Sequence, residues 1–142
     1  MKTPNILDPE VTYGSLEMGS TISFINIIRE GIPFKAFKIF ANASPFSLSE
    51  WSSFLHLSER TMQRYEKEKG KFDALQSEKI LEIVLLYKKG TAVFGNAEKF
   101  NSWLETENLA LGRAKPKSFL DNSFGINLLK DELSRIEYGI LA

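Results

Sequence analysis

FSLSEWSSFLHLSERTMQRYEKEKG, residues 46–70, reads as two short helices joined by a tight turn, with a helix start written into it twice. Ser47 and Glu50 stand at S-x-x-E spacing, where each side chain satisfies a free backbone amide near the other. Phe46 and Trp51 bracket them at the spacing of a hydrophobic staple. A second start falls at Ser58, where Leu57 and Met62 repeat the staple and Thr61 replaces the Glu or Gln of a full box. The first predicted helix, 48–55, buries Leu48, Trp51, Phe54 and Leu55. The second, 59–69, turns Met62 and Tyr65 inward with Thr61 beside them, leaves Arg60, Gln63, Arg64 and Lys67 outside, and stops at Gly70. Two helices so joined, the second carrying long polar donors on its open face, form the helix-turn-helix pattern. A plain helical hairpin with a solvated face shares part of that pattern. As a DNA reader, the stretch would use Ser58, Arg60, Thr61, Gln63, Arg64 and Lys67. The early residues would meet base edges, and Ser58 and Lys67 would hold phosphates.

Outward from this hairpin the chain continues to read as helix. Residues 1–19 carry Pro4, Pro9, Gly14 and Gly19 and form an arm in which Ile6, Leu7, Val11 and Tyr13 pack locally. A helix starts at Ser20 or Thr21 and stops at Gly31, with Ile22, Ile25, Phe24 and Ile28 facing inward. Pro33 suits the first position of the next helix, whose Phe34, Phe37, Phe40 and Ala41 make an apolar stripe ending near Asn42. After the hairpin, Asp73 and Gln76 mark another start. The helix they open carries Leu75, Ile80, Leu81, Ile83, Val84, Leu85, Leu86 and Tyr87 before Lys88, Lys89 and Gly90. Being apolar on more than one face, it should be buried from two sides as a central strut. Phe94, Gly95 and Asn96 form a break, and residues 97–105 resume as helix with Phe100, Trp103 and Leu104 inward. A loop over 106–117 leads through a short helix at Phe119 and Leu120 to a last helix, 126–138, aligning Leu129, Leu133 and Ile136. Nothing alternates with period two over a useful length, so the fold class is all-α.

Composition narrows the function. The 142 residues hold 18 basic and 18 acidic side chains, no cysteine and one histidine. Neutrality counts against a non-specific nucleic-acid coat, which needs a large positive excess, and suggests weak intrinsic affinity rescued by two-fold symmetry. Arg64 and Glu68 also suit a solvated helix with opposite charges four apart. Without cysteine there is neither a disulfide nor thiolate chemistry. MKTPNILDPE lacks a secretory pattern, and the apolar run 80–87 is short and broken by Glu82, so no membrane segment and a cytoplasmic setting are expected. His56 sits in the hairpin turn, where a surface or capping role suits it better than catalysis. Asp131, Glu132 and Glu137 lie together on the last helix, but a solvated face explains them. With no phosphate loop, no metal cluster and no nucleophile–base pair, neither an enzyme nor a cofactor is expected.

The C-terminal third carries a more specific signal. Residues 100–142, FNSWLETENLALGRAKPKSFLDNSFGINLLKDELSRIEYGILA, resemble the toxin-binding domain of the Xre/MbcA/ParS family of antitoxins. The pattern runs through Trp103–Leu104, Asn108, Leu111–Gly112, Pro116, Leu120–Asp121, Gly125, Leu129, Leu133, Ile136 and Gly139, with Phe94–Gly95 as lead-in. Residues 32–90 look like the Xre-type helix-turn-helix that accompanies it, a looser match, and residues 1–31 fit neither. Arg113 stands where a glycine is usual, and Asp121–Asn122–Ser123 where Asp-Thr is frequent; both departures bear on partner specificity.

The resemblance implies a type II antitoxin. Its partner would be a RES-type toxin encoded beside it, which consumes NAD or uses it to ADP-ribosylate a target. The antitoxin would block the toxin's NAD site and repress its own operon through operator DNA. Three units follow: 1–31 as arm and first helix, 32–90 as the helix-turn-helix domain, and 91–142 as the toxin-binding domain. Toxin contact is expected from Asn108, Arg113, Lys115, Glu137, Tyr138 and Ile140, with Lys117 in the same basic loop; Asn108 equally suits a turn-capping role. Gly125 and Gly139 are read as punctuating the last helix. Trp103, Leu104, Leu129, Leu133 and Ile136 are expected to build a core separate from the DNA-reading half. Two other readings remain open: a stand-alone helix-turn-helix regulator sensing a small ligand, and an interaction protein whose hairpin no longer reads DNA.

A neutral DNA reader whose residues 22–40 carry more apolar surface than one small domain buries should be a homodimer or a higher even-numbered assembly. Sedimentation at micromolar concentration is expected to show at least a dimer, and a monomer would contradict it.

Overall fold

The computed structural model describes residues 5–16 and 20–139. Among the described residues seven α-helices follow one another: α1 (Ser20–Glu30), α2 (Phe34–Ala43), α3 (Leu48–Leu55), α4 (Glu59–Glu68), α5 (Ala74–Phe94), α6 (Ala97–Glu105) and α7 (Ser123–Glu137). Among the described residues no strand forms, only isolated bridges pairing Pro33 with Lys71 and Asn108 with Ala114. The all-α expectation holds.

The starts read at Ser47 and Asp73 form as the sequence writes them. Ser47 Oγ accepts the Glu50 amide at 3.1 Å while Glu50 Oε1 accepts the Ser47 amide at 3.0 Å. Asp73 and Gln76 repeat this at the head of α5, with 2.7 Å and 3.3 Å bonds. Phe46 meets Trp51 edge-on at 5.7 Å, and Phe37 meets Trp51 at 5.0 Å, so the α2 stripe and α3 share one aromatic cluster. The entrance to α2 is laced to the segment after α4: the Phe34 amide donates to Gly70 O and the Phe72 amide to Ile32 O, each at 2.9 Å. Gly31 stops α1 at φ +87°, where a Cβ would lie 2.5 Å from Phe72 O.

α5 does not stop at Lys88–Gly90 but runs 21 residues to Phe94, so position 90 lies inside it. Glycine there serves packing. A Cβ on Gly90 would fall 2.1 Å from the Phe100 ring, so α6 lies directly on the α5 backbone. Lys88, also inside α5, is buried and donates to Asp8 O at 2.8 Å and Val11 O at 2.5 Å. Burial holds its pKa below the ordinary lysine value, with Asp8 opposing that shift. Within the described part of the arm, residues 5–16, Ile6 and Leu7 are buried in the same core as the helices.

Several inward assignments need correction. α1 packs on α5 through Phe24, Ile27 and Ile28, and this leaves Ile22 64% exposed and Ile25 outside as well. With five large apolar residues in seven positions, 22–28, periodicity alone could not set the phase of that helix. Leu48 and Leu75 each sit in the first turn of a helix, before the packed stretch begins, and are exposed. Pro33 caps α2 instead of opening it. Lys69, not Gly70, takes the left-handed residue after α4, at φ 54°. α7 begins at Ser123, earlier than expected, because Asn122 Oδ1 caps the Gly125 amide at 2.7 Å. Gly125 lies inside α7 and admits Phe119 O, which would be 2.2 Å from a Cβ. The C-terminal residues have no separate core, since Leu104, Leu129 and Leu133 belong to one buried cluster with Trp51, Met62 and Ile83.

Replacing Gly90 by Ala should destabilise the fold despite alanine's better helix propensity, worth about 1 kcal/mol. The fully buried Phe100 ring is hemmed in by Tyr87, Phe94 and Trp103 at 5.5–5.7 Å and cannot yield cheaply. A net loss of about 1–3 kcal/mol is expected. Thermal unfolding checks it, with Gly14→Ala, whose Cβ would meet nothing within 4 Å, as the control.

Candidate functional site

The first candidate surface is the open face of α4. Arg60, Gln63, Arg64 and Lys67 are all exposed along it, while Met62 is buried and Tyr65 half-buried beneath. Ser58 and Thr61 also form the cap of the helix: Ser58 Oγ accepts the Thr61 amide at 3.0 Å and donates to Thr61 Oγ1 at 2.9 Å. Their hydroxyls fix the start of the helix that carries the four long side chains. The Arg64 guanidinium lies 5.7 Å from the Tyr65 ring, and that ring meets Phe72 edge-on at 5.5 Å. Arg64 thus rests on a side chain that is itself supported.

Whole-chain neutrality hides a local excess. Residues 32–72 hold seven basic and four acidic side chains, and Glu66 among the latter is ion-paired with Lys38. Lys35, Lys38 and Lys69 line a groove between α2 and the end of α4, together with Ile39 and Asn42. The sequence reading passed over Lys35 and Lys38 because they lie on another helix, far from the hairpin in sequence.

The second candidate surface is the loop 106–117 with the two ends of α7. The loop closes on itself: the Asn108 amide donates to Ala114 O at 3.0 Å and the Arg113 amide to Asn108 O at 2.8 Å. Asn108 Oδ1 accepts the Ala110 amide at 2.9 Å, which is the capping role. Gly112 and Arg113 both have positive φ, +70° and +69°, so the Arg113 side chain is held outward by a conformation that costs about 1–2 kcal/mol for a residue with a Cβ. The other two cations of the loop are ion-paired. Lys117 Nζ binds Glu105 Oε1 at 2.5 Å and Glu50 Oε2 at 2.8 Å, and Lys115 lies 3.8 Å from Glu105. The bonds to Glu105 and Glu50 raise the Lys117 pKa. Burial works against the Glu50 carboxylate, yet Lys117 and the Ser47 amide outweigh it and hold its pKa low. At the far end of α7, Glu137 and Tyr138 are exposed, while Ile140 lies outside the described residues.

Two links join the surfaces. The Lys117 ion pairs connect the capping box of α3 to α6, and His56, in the left-handed turn between α3 and α4, donates from Nε2 to Asp121 O at 2.7 Å. The exposed apolar residues Leu109, at 77%, and Phe124, at 90%, were missed by sequence reasoning. Phe124 falls off the Ile126–Leu129–Leu133 stripe, and that mismatch was its available signal. Among the described residues no group of three acidic, His or Cys side chains could hold a metal, and no helix is long and apolar enough to cross a membrane.

A helix-turn-helix with a basic face, followed by a compact helical module, defines a two-part binding protein. Comparison with known families places both parts. The model described as an antitoxin Xre-like helix-turn-helix domain matches residues 23–85, and that of the antitoxin Xre/MbcA/ParS C-terminal toxin-binding domain matches residues 89–139. A protein named antitoxin Xre, from Photorhabdus laumondii subsp. laumondii, is 28% identical over 117 residues, covering 82% of this chain and 79% of its own. The chain belongs to the Xre/MbcA/ParS family of antitoxins.

Arg64→Ala should lower operator affinity by about 1–3 kcal/mol and relax sequence preference, as expected for a residue that reads a base. Lys67→Ala should instead weaken binding to every sequence and reduce the salt slope by about one. Fluorescence anisotropy across a salt series separates the two. Unchanged affinity in the double variant Arg60→Ala with Arg64→Ala would remove α4 from the interface.

Proposed function

We propose that this antitoxin neutralises a NAD-consuming, RES-type toxin encoded beside it and represses its own operon as a homodimer in the cytoplasm. The observation that carries the reading is the union, in one chain, of a helix-turn-helix and a toxin-binding domain, each on its own matched segment. In this reading residues 32–90 read DNA and residues 91–142 hold the toxin. Arg60, Gln63 and Arg64 address bases, Lys67 addresses phosphate, and the hydroxyls of Ser58 and Thr61 set the helix start.

Neutralisation is a binding event, not catalysis. Blocking an NAD pocket takes a filled cleft and few charges. Arg113 offers a projecting donor and Tyr138, 73% exposed, an amphipathic ring beside Glu137, with Ile140 following in sequence. Asn108 supports this surface by holding the loop in shape, and Lys115 and Lys117 brace it against Glu105 and Glu50. Repression gains affinity from two-fold symmetry, because each copy contributes only a modest basic excess.

Deleting residues 138–142 should release toxin activity while leaving a chain that folds and binds operator DNA, since Tyr138 lies beyond the last buried residue of α7. Growth and cellular NAD, measured in cells expressing the neighbouring toxin with either chain, test it. Full protection by the shortened chain would move the inhibitory contact away from that end. Failure of the intact chain to protect would overturn the proposed function.

A further inference from the structure

Phe124 is 90% exposed, the most exposed of the large hydrophobic residues among those described, yet its neighbours in sequence are all tied down. On one side Asn122 Oδ1 accepts the Gly125 amide at 2.7 Å, and Asn122 Nδ2 donates to Asp121 Oδ1 at 2.9 Å. Ser123 Oγ accepts from Lys79 Nζ at 3.0 Å and donates to Glu82 Oε1 at 3.1 Å, fastening the residue to α5. On the other side Gly125 is pressed against Phe119 O and Ile126 is fully buried. Residues 122, 123, 125 and 126 are thus each anchored, and the one between them projects a phenyl ring into solvent. One helical turn on, Leu128 is 39% exposed on the same face, and the exposed Asn127 and Asp131 flank the pair.

An apolar centre with a polar rim, on a backbone already fixed, is the arrangement of an interface hot spot. Because the backbone is rigid and the side chain has only two torsions, docking this ring costs little conformational entropy. We infer that Phe124, extended by Leu128, is the apolar anchor of the toxin interface and enters a hydrophobic pocket on the toxin. The inference rests on the proposed function and adds to it an apolar contact at the start of α7. The occupant is argued from position and from what else is available. Phe124 lies within residues 89–139, matched by a toxin-binding domain. Of the other residues expected to meet the toxin, Asn108 is engaged in its own loop and Lys115 pairs with Glu105. Leu109 and Tyr138 are the other large apolar side chains exposed above 70% in this stretch, and Phe124, at 90%, is more exposed than either.

The test uses the full chain and the purified toxin encoded by the neighbouring gene, with Phe124→Ser, Phe124→Leu and, as a control of equal polarity change elsewhere, Leu75→Ser. Affinity is read by calorimetry, folding by thermal melting, self-association by sedimentation, and DNA binding by anisotropy on the operator. Phe124→Ser should weaken toxin binding by roughly thirtyfold or more, the size expected of a hot-spot aromatic. Phe124→Leu should recover part of the loss and Leu75→Ser should leave affinity intact, with melting, assembly and operator binding unchanged throughout. Wild-type binding that Phe124→Ser leaves unaltered overturns the anchor and spares the proposed function. Loss of self-association in Phe124→Ser, with toxin affinity kept, assigns the ring to a second copy of the chain and also overturns it. A wild-type chain that does not bind the toxin overturns the proposed function and the anchor together.

Discussion

The approach of Phe100 to Gly90 is the contact on which the arrangement of the two halves depends. A ring lying where a Cβ would stand brings α6 down onto the α5 backbone. Around that ring, Tyr87, Phe94 and Trp103 gather at 5.5–5.7 Å. Tyr87 continues the chain of rings to Phe40 and Phe46, at 6.0 and 6.1 Å, and so into the aromatic cluster that supports α3. Its hydroxyl is satisfied by Asn101 of α6 at 2.7 Å, so this one side chain ties α2, α5 and α6 together. The long strut is thus clothed by the hairpin side and the C-terminal side at once, and neither set of helices could bury its apolar face without it.

What could be read from the sequence was local. The reciprocal caps at Ser47–Glu50 and Asp73–Gln76, the Phe34–Phe37–Phe40 stripe and the open face of α4 depend on residues three or four apart, and they formed as read. What escaped was set by distant partners. α1 offers apolar residues on nearly every side, and only its docking on α5 decides that Phe24, Ile27 and Ile28 face in. Gly90 and Gly125 resemble stop signals in one dimension and are points of close contact in three. Lys117 reads as part of a basic loop, but one of its carboxylate partners is 67 residues away. The arm's place in the core likewise rests on Lys88, 77 and 80 residues distant from the carbonyls it holds.

The same distinction applies to charge. A balanced total implied weak attraction for nucleic acid, but affinity depends on where charges sit and not on their sum. The basic excess lies between residues 32 and 72, and acidic residues elsewhere restore neutrality. Pairing Lys38 with Glu66 and Lys117 with Glu50 and Glu105 further thins the cations available, leaving Arg60, Arg64 and Lys67 prominent on their helix.

The buried cluster runs from Ile6 to Leu133, so the described residues share one core. A domain of this size with one core unfolds as a single cooperative unit. A cellular protease that captures the open state would therefore find both surfaces undone in the same event. The lifetime of the whole molecule is then set by one opening equilibrium, and a ligand that binds the folded form on either surface lengthens the life of both.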